Sequence, residues 1–472
     1  MLHSKFGEKE FGNVDLGDRR LNSRLVKMAD AAARNPSRGF PRMMSSDAEL
    51  EATYRFFNNP RITPKKILAS HSGCSASRCK EHSKVWIAHD TTEFRFGGES
   101  QREGLGRIKG LSSGFHGHFS LAVVPGEARD TLGLLNVELV NDTKKIGGRS
   151  VKARREASDR QSKRWEDGVE RCAELLGKKC QGIHIMDREA DSYPLWAFMV
   201  ESKQDFVIRV SWNRKIVCEQ TNINKLFDLL DEKEGEPWVL KRNVRISARG
   251  RPVGNPKYKK KHPKRPARNA KLGIRAMPVT VKRTIASDED APESLDLHVV
   301  HICEIKPPAD HPPIEWHLIT TLPIDTKEQV AEIVDAYRGR WIIEEYFKAL
   351  KTGCSFEKRQ LESYDALALA LALLSPVAWR LLRLKTLNRE SPTIPASKIM
   401  TRVQLEILKE KARDPLPDNP TVEDVFFAIA RLGGFLKHNK VPGWQTIGYG
   451  FHELLSMEVG WHVRDLRDHG EL

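Results

Sequence analysis

No two of the seven cysteines, Cys74, Cys79, Cys172, Cys180, Cys218, Cys303 and Cys354, are spaced as C-x-x-C, and their number is odd. A disulfide framework and a zinc knuckle are both excluded as expectations by that pattern. The opening MLHSKFGEKEFG lacks the apolar core of a signal peptide. The longest apolar run, Ala366 to Trp379, falls short of the roughly 20 residues that cross a bilayer and contains Ser375 and Pro376. Also missing are an internal repeat, a nucleotide-binding glycine loop and a Ser-His-Asp arrangement. The expectation is a soluble, reduced, cytoplasmic protein with no membrane partner and no small-molecule cofactor.

Acidic residues are absent from one long window. Between Lys241 and Arg283 stand sixteen Lys or Arg and no Asp or Glu, whereas the whole chain carries a net +15. The remainder therefore sums to −1, so the protein is near-neutral with one strongly cationic segment. Such a segment suits a polyphosphate backbone, where each neutralised phosphate releases counterions. At 472 residues two or three domains are expected.

The first eighty residues read as helices. In LGDRRLNSRLVKMADAAARNP, Leu21, Leu25, Met28 and Ala32 recur at helical spacing while Arg20, Arg24 and Lys27 line another face, and Pro36 closes the element. A cationic face of this kind can dock on a DNA backbone. Thr63-Pro64 predicts an N-cap followed by proline in the first turn. From Val85 three strands follow (VWIAHDTTEFRF, GFHGHFSLAVV, LGLLNVELV), then a helix near 158–176, the strand QGIHIMD, a helix starting near Ser192 and the strand DFVIRV. This order predicts a mixed α/β core. Beyond Arg209 come VLKRNVRISA, LGIRAMPVTVKR, LDLHVVHICEI and WHLITTL, interrupted by a basic loop, and read as a β-rich insertion. A long helical stretch is expected from about Lys327 to Gly353, with helices dominating afterwards.

That last stretch carries Tyr337, Arg340, Glu344 and Lys351. At about 100° per residue they point near 0°, 300°, 340° and 320°, an arc of roughly 60°. A phenol, a guanidinium, a carboxylate and an ammonium thus share one predicted stripe, while Glu345 points near 80° and stands apart. An acid between two cations suits a site that holds a divalent metal and grips phosphate oxygens, although such ladders also decorate solvated helices. Two further acids, Asp90 after VWIAH and Asp187 after GIHIM, sit where apolar strands run out, rigidly placed and within reach of solvent. Three carboxylates around two Mg²⁺ ions about 3.5 to 4 Å apart can drive an in-line phosphoryl displacement. Hard oxygen ligands favour Mg²⁺ or Mn²⁺ over zinc. Glu189 and Asp191 of DREAD are rival ligands, Asp191 also being a candidate N-cap. His116 and His118 of HGH read as surface or satisfied residues.

DTT at Asp90, DREAD at Asp187 and YRGRWIIEEYFKALK from Tyr337 resemble the bacterial insertion-sequence transposases with a Tyr-Arg-Glu-Lys signature, the insertion-sequence-four family. LGDRR at Leu16, YRF at Tyr54, FVIR at Phe206, RPAR at Arg265, WHLITT at Trp316, KTG at Lys351 and AIARLGGF at Ala428 extend the likeness in matching order. The resemblance implies a ribonuclease-H-like mixed-sheet core with a β-strand insertion, flanked by a helical N-terminal DNA-binding domain and a helical C-terminal domain that pairs two protomers. The expected divisions are 1–80, 81–210, 211–323, 324–390 and 391–472. It implies Asp90, Asp187 and Glu344 as metal-holding catalytic acids. Tyr337, Arg340 and Lys351 are implied as phosphate grips, Trp316 as a ring that stacks during a hairpin stage, and Arg209, Arg265 and Arg268 as further DNA contacts. The implied activity is cut-and-paste transposition by a nucleoid-associated homodimer that acts on transposon ends and target DNA. Two rival readings stay open: a nuclease of the same core without strand joining, and a catalytically silent DNA-binding inhibitor. The loop Lys257 to Lys271 is longer and more basic than the family pattern.

Overall fold

The structure is a computed structural model, described for residues 6–97, 102–108, 112–126, 129–142, 163–217, 223–232, 236–248, 250, 264–284, 291–309, 313–411, 414–436 and 441–468. Residues 257–263 of the basic loop expected over Lys257 to Lys271, and the start of the helix expected near 158, lie outside those residues. The chain divides into two compact units, Met1–Gly182 with Trp341–Leu472, and Ile183–Arg340.

The first unit opens with helices α1 (Phe6–Phe11), α2 (Arg19–Arg34), α3 (Phe40–Met43), α4 (Asp47–Phe57) and α5 (Pro64–Cys79). Local chemistry fixes their starts: the side chains of Asp18, Ser46 and Thr63 accept from the amides of Arg20, Glu49 and Lys66, each satisfying a donor the helix cannot. α2 buries Leu25, Met28 and Ala32 and ends at Asn35 before Pro36, as the spacing predicts. A buried polar clamp holds α1 to α5. Glu10 faces His71 at 2.6 Å and accepts from Arg78 at 2.9 Å, while His71 Nε2 accepts from the Leu134 amide at 3.2 Å.

Leu134 belongs to an antiparallel set, β1 (Lys84–Arg95), β2 (Gly114–Val123) and β3 (Thr131–Val140). Helix α6 (Lys163–Leu176) packs on it, burying Cys172 and Leu176 with Val85, Ile87, Ala122 and Leu135. Side chains of this size contribute about 1.5–3 kcal/mol each when buried. The remaining long helix, α11 (Tyr364–Glu390), starts at Ser363, whose side chain accepts from the Ala366 amide. The apolar run expected to be too short for a bilayer is part of this helix, which is long and apolar enough to cross one, yet 94% of its apolar window is buried inside the protein. It is a core helix, and burial rather than length decides the matter. At the C-terminal end α12 (Arg402–Lys411), α13 (Val422–Leu432) and α14 (Trp444–Asp468) pack together. A Cβ on Gly450 would lie 1.7 Å from the Ile429 carbonyl oxygen, so only glycine permits the α13–α14 approach.

The second unit is sheet-centred. β4 (Gln181–Met186) runs parallel to β5 (Asp205–Arg209) through α7 (Tyr193–Glu201), the arrangement that a parallel pair needs. Four more strands extend the path antiparallel, in the order β4-β5-β10-β9-β8-β6: β10 (Glu315–Thr320), β9 (Ser294–Glu304), β8 (Arg268–Lys282) and β6 (Ile216–Val217), with β7 (Leu240–Ile246) also on β8. The strands read from the sequence as an insertion thus continue the sheet that holds β5. Helix α8 (Leu226–Glu232), which the sequence reading does not anticipate, and α9 (Lys327–Gly339) complete the unit. Thr326 and Gln329 form a capping box at the start of α9, and Arg242 on β7 pairs with Asp335 on it at 2.6 Å.

Candidate catalytic and nucleic-acid site

The expected uniform helix over Lys327 to Gly353 is three segments. α9 stops at Gly339, α10 spans Ile342–Lys348, and Ala349–Gly353 winds as a π turn in which the Cys354 amide reaches back five residues to Ala349. The π turn ends where Gly353 meets α11, a Cβ there lying 3.1 Å from Leu381. A constant 100° step therefore does not hold from Tyr337 to Lys351. Tyr337 and Arg340 belong to the second unit, Glu344 and Lys351 to the first.

In the first unit, α10 packs against β1. Asp90 on β1 pairs with Phe119, is 8% exposed, and accepts the Thr91 amide at 2.8 Å. It does not stand at a strand end, as the apolar run suggests: the buried stretch finishes at Asp90 while the strand continues to Arg95. The Lys351 ammonium donates to the Glu93 carbonyl on the same strand at 2.5 Å, lies 3.9 Å from Glu357 and sits over the Phe94 ring. Burial pulls its pKa below the usual lysine value, against the pull of Glu357 and Glu93. Glu344 is part-buried on α10, and Glu345 beside it is held by Lys348 at 2.6 Å and Lys385 at 3.6 Å. Burial alone would raise the Glu345 pKa, but those two ammonium groups bring it below the ordinary carboxylate value.

The two histidines of HGH, two residues apart and so on one face of β2, differ in burial. His116 is partly exposed near Glu93, whereas His118 is fully buried and bonded to Thr91 at 2.9 Å. Burial, with Arg164 nearby, pushes the His118 pKa down to about 3, so this imidazole is a neutral core group.

In the second unit, Asp187 follows β4 directly and caps the short turn Arg188–Ala190 by accepting the Glu189 amide at 2.8 Å. Its rival Asp191 is occupied. Ser192, not Asp191, precedes α7 as the cap residue, and the fully buried Asp191 carboxylate accepts the Ser211 and Trp212 amides and pairs with Arg214. The N-cap expected of Asp191 is replaced by this longer-range tie, which local sequence does not reveal.

The same unit gathers an aromatic and cationic cluster. Trp316 on β10 is half-buried, meets Tyr337 edge-on at 5.3 Å, and has the Arg209 guanidinium 5.9 Å from its centroid. Arg209 donates to the Glu315 carbonyl at 2.9 Å. Burial lowers the Arg209 pKa, the charges of Arg188 and Arg340 lower it further, and Tyr337 counters them. Three guanidiniums and two aromatic rings in one neighbourhood form a surface for phosphates and bases. Arg188 was not singled out from the sequence; its signal is only its place next to Asp187. Arg268, expected as a DNA contact, pairs with buried Glu304, and Arg265 lies within the field of the same acid. Arg20 is highly exposed and pairs with its own cap residue Asp18; Arg24 is part-exposed and Lys27 exposed on α2.

Two family models match the chain. The transposase DNA-binding model covers residues 3–62, which contain Arg20, Arg24 and Lys27. The transposase DDE domain model covers residues 166–378, which contain Asp187, Arg209, Trp316, Tyr337, Arg340, Glu344 and Lys351 but not Asp90. The chain carries a DNA-binding domain followed by a ribonuclease-H-like DDE domain, the domain pair of a DNA transposase. Among solved structures it is similar to the cryo-EM structure of a piggyBac transposase synaptic complex with hairpin DNA, at 12% identity over 89% of this chain and 76% of that chain, with a TM-score of 0.35.

Proposed function

We propose that the protein is a cut-and-paste transposase of the insertion-sequence-four type, acting as a homodimer on its own terminal repeats with Mg²⁺ or Mn²⁺. The supporting observation is that Asp187, Tyr337, Arg340, Glu344 and Lys351 all fall inside the segment matched by the transposase DDE model, downstream of a matched DNA-binding segment. The donor set fits a hard divalent ion, since Asp90, Asp187 and Glu344 offer only carboxylate oxygens. The reading requires Asp187, carried by one unit, to share ions with Asp90 and Glu344, carried by the other. Bound ions would supply Lewis acidity to the attacking water or 3′-hydroxyl and to the leaving oxygen.

The chain's own groups do the rest in this reading. Tyr337, Arg340 and Lys351 grip phosphate oxygens flanking the scissile bond, and their rigid placement turns a bimolecular attack into a positioned one. Arg209 and Trp316 take an unpaired base, which the ring stacks without regard to its identity. Arg20, Arg24 and Lys27 anchor the end duplex through its backbone. One strand at each end is cut, the freed 3′-hydroxyl attacks the opposite strand to close a hairpin, the hairpin reopens, and the end joins target DNA.

The test is incubation of the full chain with its element's ends, flanking DNA and Mg²⁺, resolving nicks, hairpins and joined products. All three are expected. Nicks without joined product would favour the nuclease reading, and end binding without any cut the silent inhibitor.

A further inference from the structure

Strand alternation and register place four residues of metal-ligand type on one face of β9 and β10. His317 stands opposite His301 and Glu315 opposite Cys303, so the i, i+2 pairs His301-x-Cys303 and Glu315-x-His317 form a two-by-two grid. Three of the four converge. Glu315 Oε1 lies 3.0 Å from His301 Nε2 and 3.6 Å from His317 Nε2, and ligand atoms of this trio all fall within 4.8 Å of one another. No other trio of His, Cys, Asp or Glu among the described residues is that tight. Two ligands held 2.0–2.1 Å from a tetrahedral ion stand about 3.3 Å apart, a value the two separations straddle. We propose that His301, Glu315 and His317 form a binding site for a borderline divalent metal of the zinc class, with Cys303 beside the open fourth position.

The surroundings favour a metal over a simple ion pair. Phe227 stacks on His317 at 4.2 Å and the two histidine rings stack at 4.9 Å with 11° between them, so one ring turns out of this stack for both in-plane lone pairs to reach a shared ion. The nearby cations are engaged elsewhere. Arg275, opposite His301 on β8, donates to the Glu236 carbonyl and lies 3.7 Å over Trp238, and Arg209 reaches the Glu315 backbone rather than its carboxylate. The donor set is chemically distinct from the oxygen-only triad, since two imidazoles prefer zinc to magnesium. One feature limits affinity: a metal on His301 Nε2 moves the ring proton to Nδ1, which is buried without a hydrogen-bond partner in the described structure. Because Glu315 and His317 flank Trp316, an ion there clips β9 to β10 on the face opposite the indole.

The experiment uses the full chain carrying Asp90→Ala, Asp187→Ala and Glu344→Ala, dialysed against ZnCl₂ and assayed for retained metal, so the outcome does not depend on whether the chain cuts DNA. One Zn²⁺ per chain is expected, not displaced by millimolar Mg²⁺. Retention should weaken at least tenfold with His317→Ala or, separately, Glu315→Gln. The latter alters an exposed side chain, and its melting curve without zinc should match the parent. No retained zinc, or equal retention in parent and both variants, would overturn the site.

Discussion

Glu10 in the N-terminal helices and Asp187 after β4 are both acids placed by regular structure, yet their surroundings differ in kind. Glu10 is 1% exposed and takes hydrogen bonds from Arg78 while contacting His71, which itself bonds to β3. Asp187 stays part-exposed and, among the described residues, accepts the Glu189 amide of its own turn. A buried carboxylate whose lone pairs are all taken fastens one element to another; one that keeps lone pairs at an open strand end is equipped to bind something else. The contrast recurs at short range, since Asp191 is saturated by two amides and Arg214 only four residues from Asp187.

The sharpest way to break this comparison is to remove the two aspartates of DREAD in turn. Asp187→Ala should lower DNA cleavage by at least about a thousandfold, about 4 kcal/mol of barrier, while end binding and thermal stability stay near the parent's. Asp191→Ala should do the reverse to stability, costing about 3–5 kcal/mol because Arg214 loses its buried partner. Gel-shift, cleavage and denaturant titration of both variants decide it. Retained cleavage in Asp187→Ala would remove that residue from the site, and an unaffected Asp191→Ala would undo its structural role.

A somewhat smaller effect belongs to Glu10. Burial alone would raise its pKa, but the His71 hydrogen bond and the charges of His71 and Arg78 bring it from 4.5 down to about 2. An acid whose folded pKa is lowered stabilises the fold above its unfolded pKa and ceases to do so as pH falls through the folded one. The contribution, about 3 kcal/mol, should therefore be complete above about pH 4.5 and vanish toward pH 2. Melts of the parent and Glu10→Gln across pH 5 to 2 should converge as pH drops; a constant gap would mean the clamp is not ionic.

What the sequence made legible follows the same division. Helix caps at Thr63 and the strand that delivers Asp187 could be read because a side chain one to three residues away determines them. The helical stretch that bears Glu344 is legible, but its break after Gly339 is not, and the π turn before Cys354 packs against α11, which no local period encodes. Asp90 looked like a strand end because apolar residues stop there, although β2 carries the pairing on to Arg95. The saturation of Asp191 and the convergence of His301, Glu315 and His317 both arise from register between segments distant in the chain, and neither was visible before the strands were paired.

The smallest of these effects concerns Trp316, where the contrast between fastening and open groups appears within one side chain. Arg209 lies over the indole at 5.9 Å and Tyr337 meets it at a steep angle 5.3 Å away, while the residue is only half-buried. If the remaining surface receives an unpaired base, Trp316→Ala should slow hairpin closure by about 1–3 kcal/mol of stacking, roughly five- to 150-fold, because the base leaves the helix only at that stage. First-strand nicking, which needs no such base, should change little, and Trp316→Phe should recover most of the closure rate. Single-turnover assays that follow nick and hairpin separately provide the readout. Equal slowing of both steps would show that the ring serves to hold Tyr337 and Arg209 in place, making Trp316 a fastening residue like Glu10.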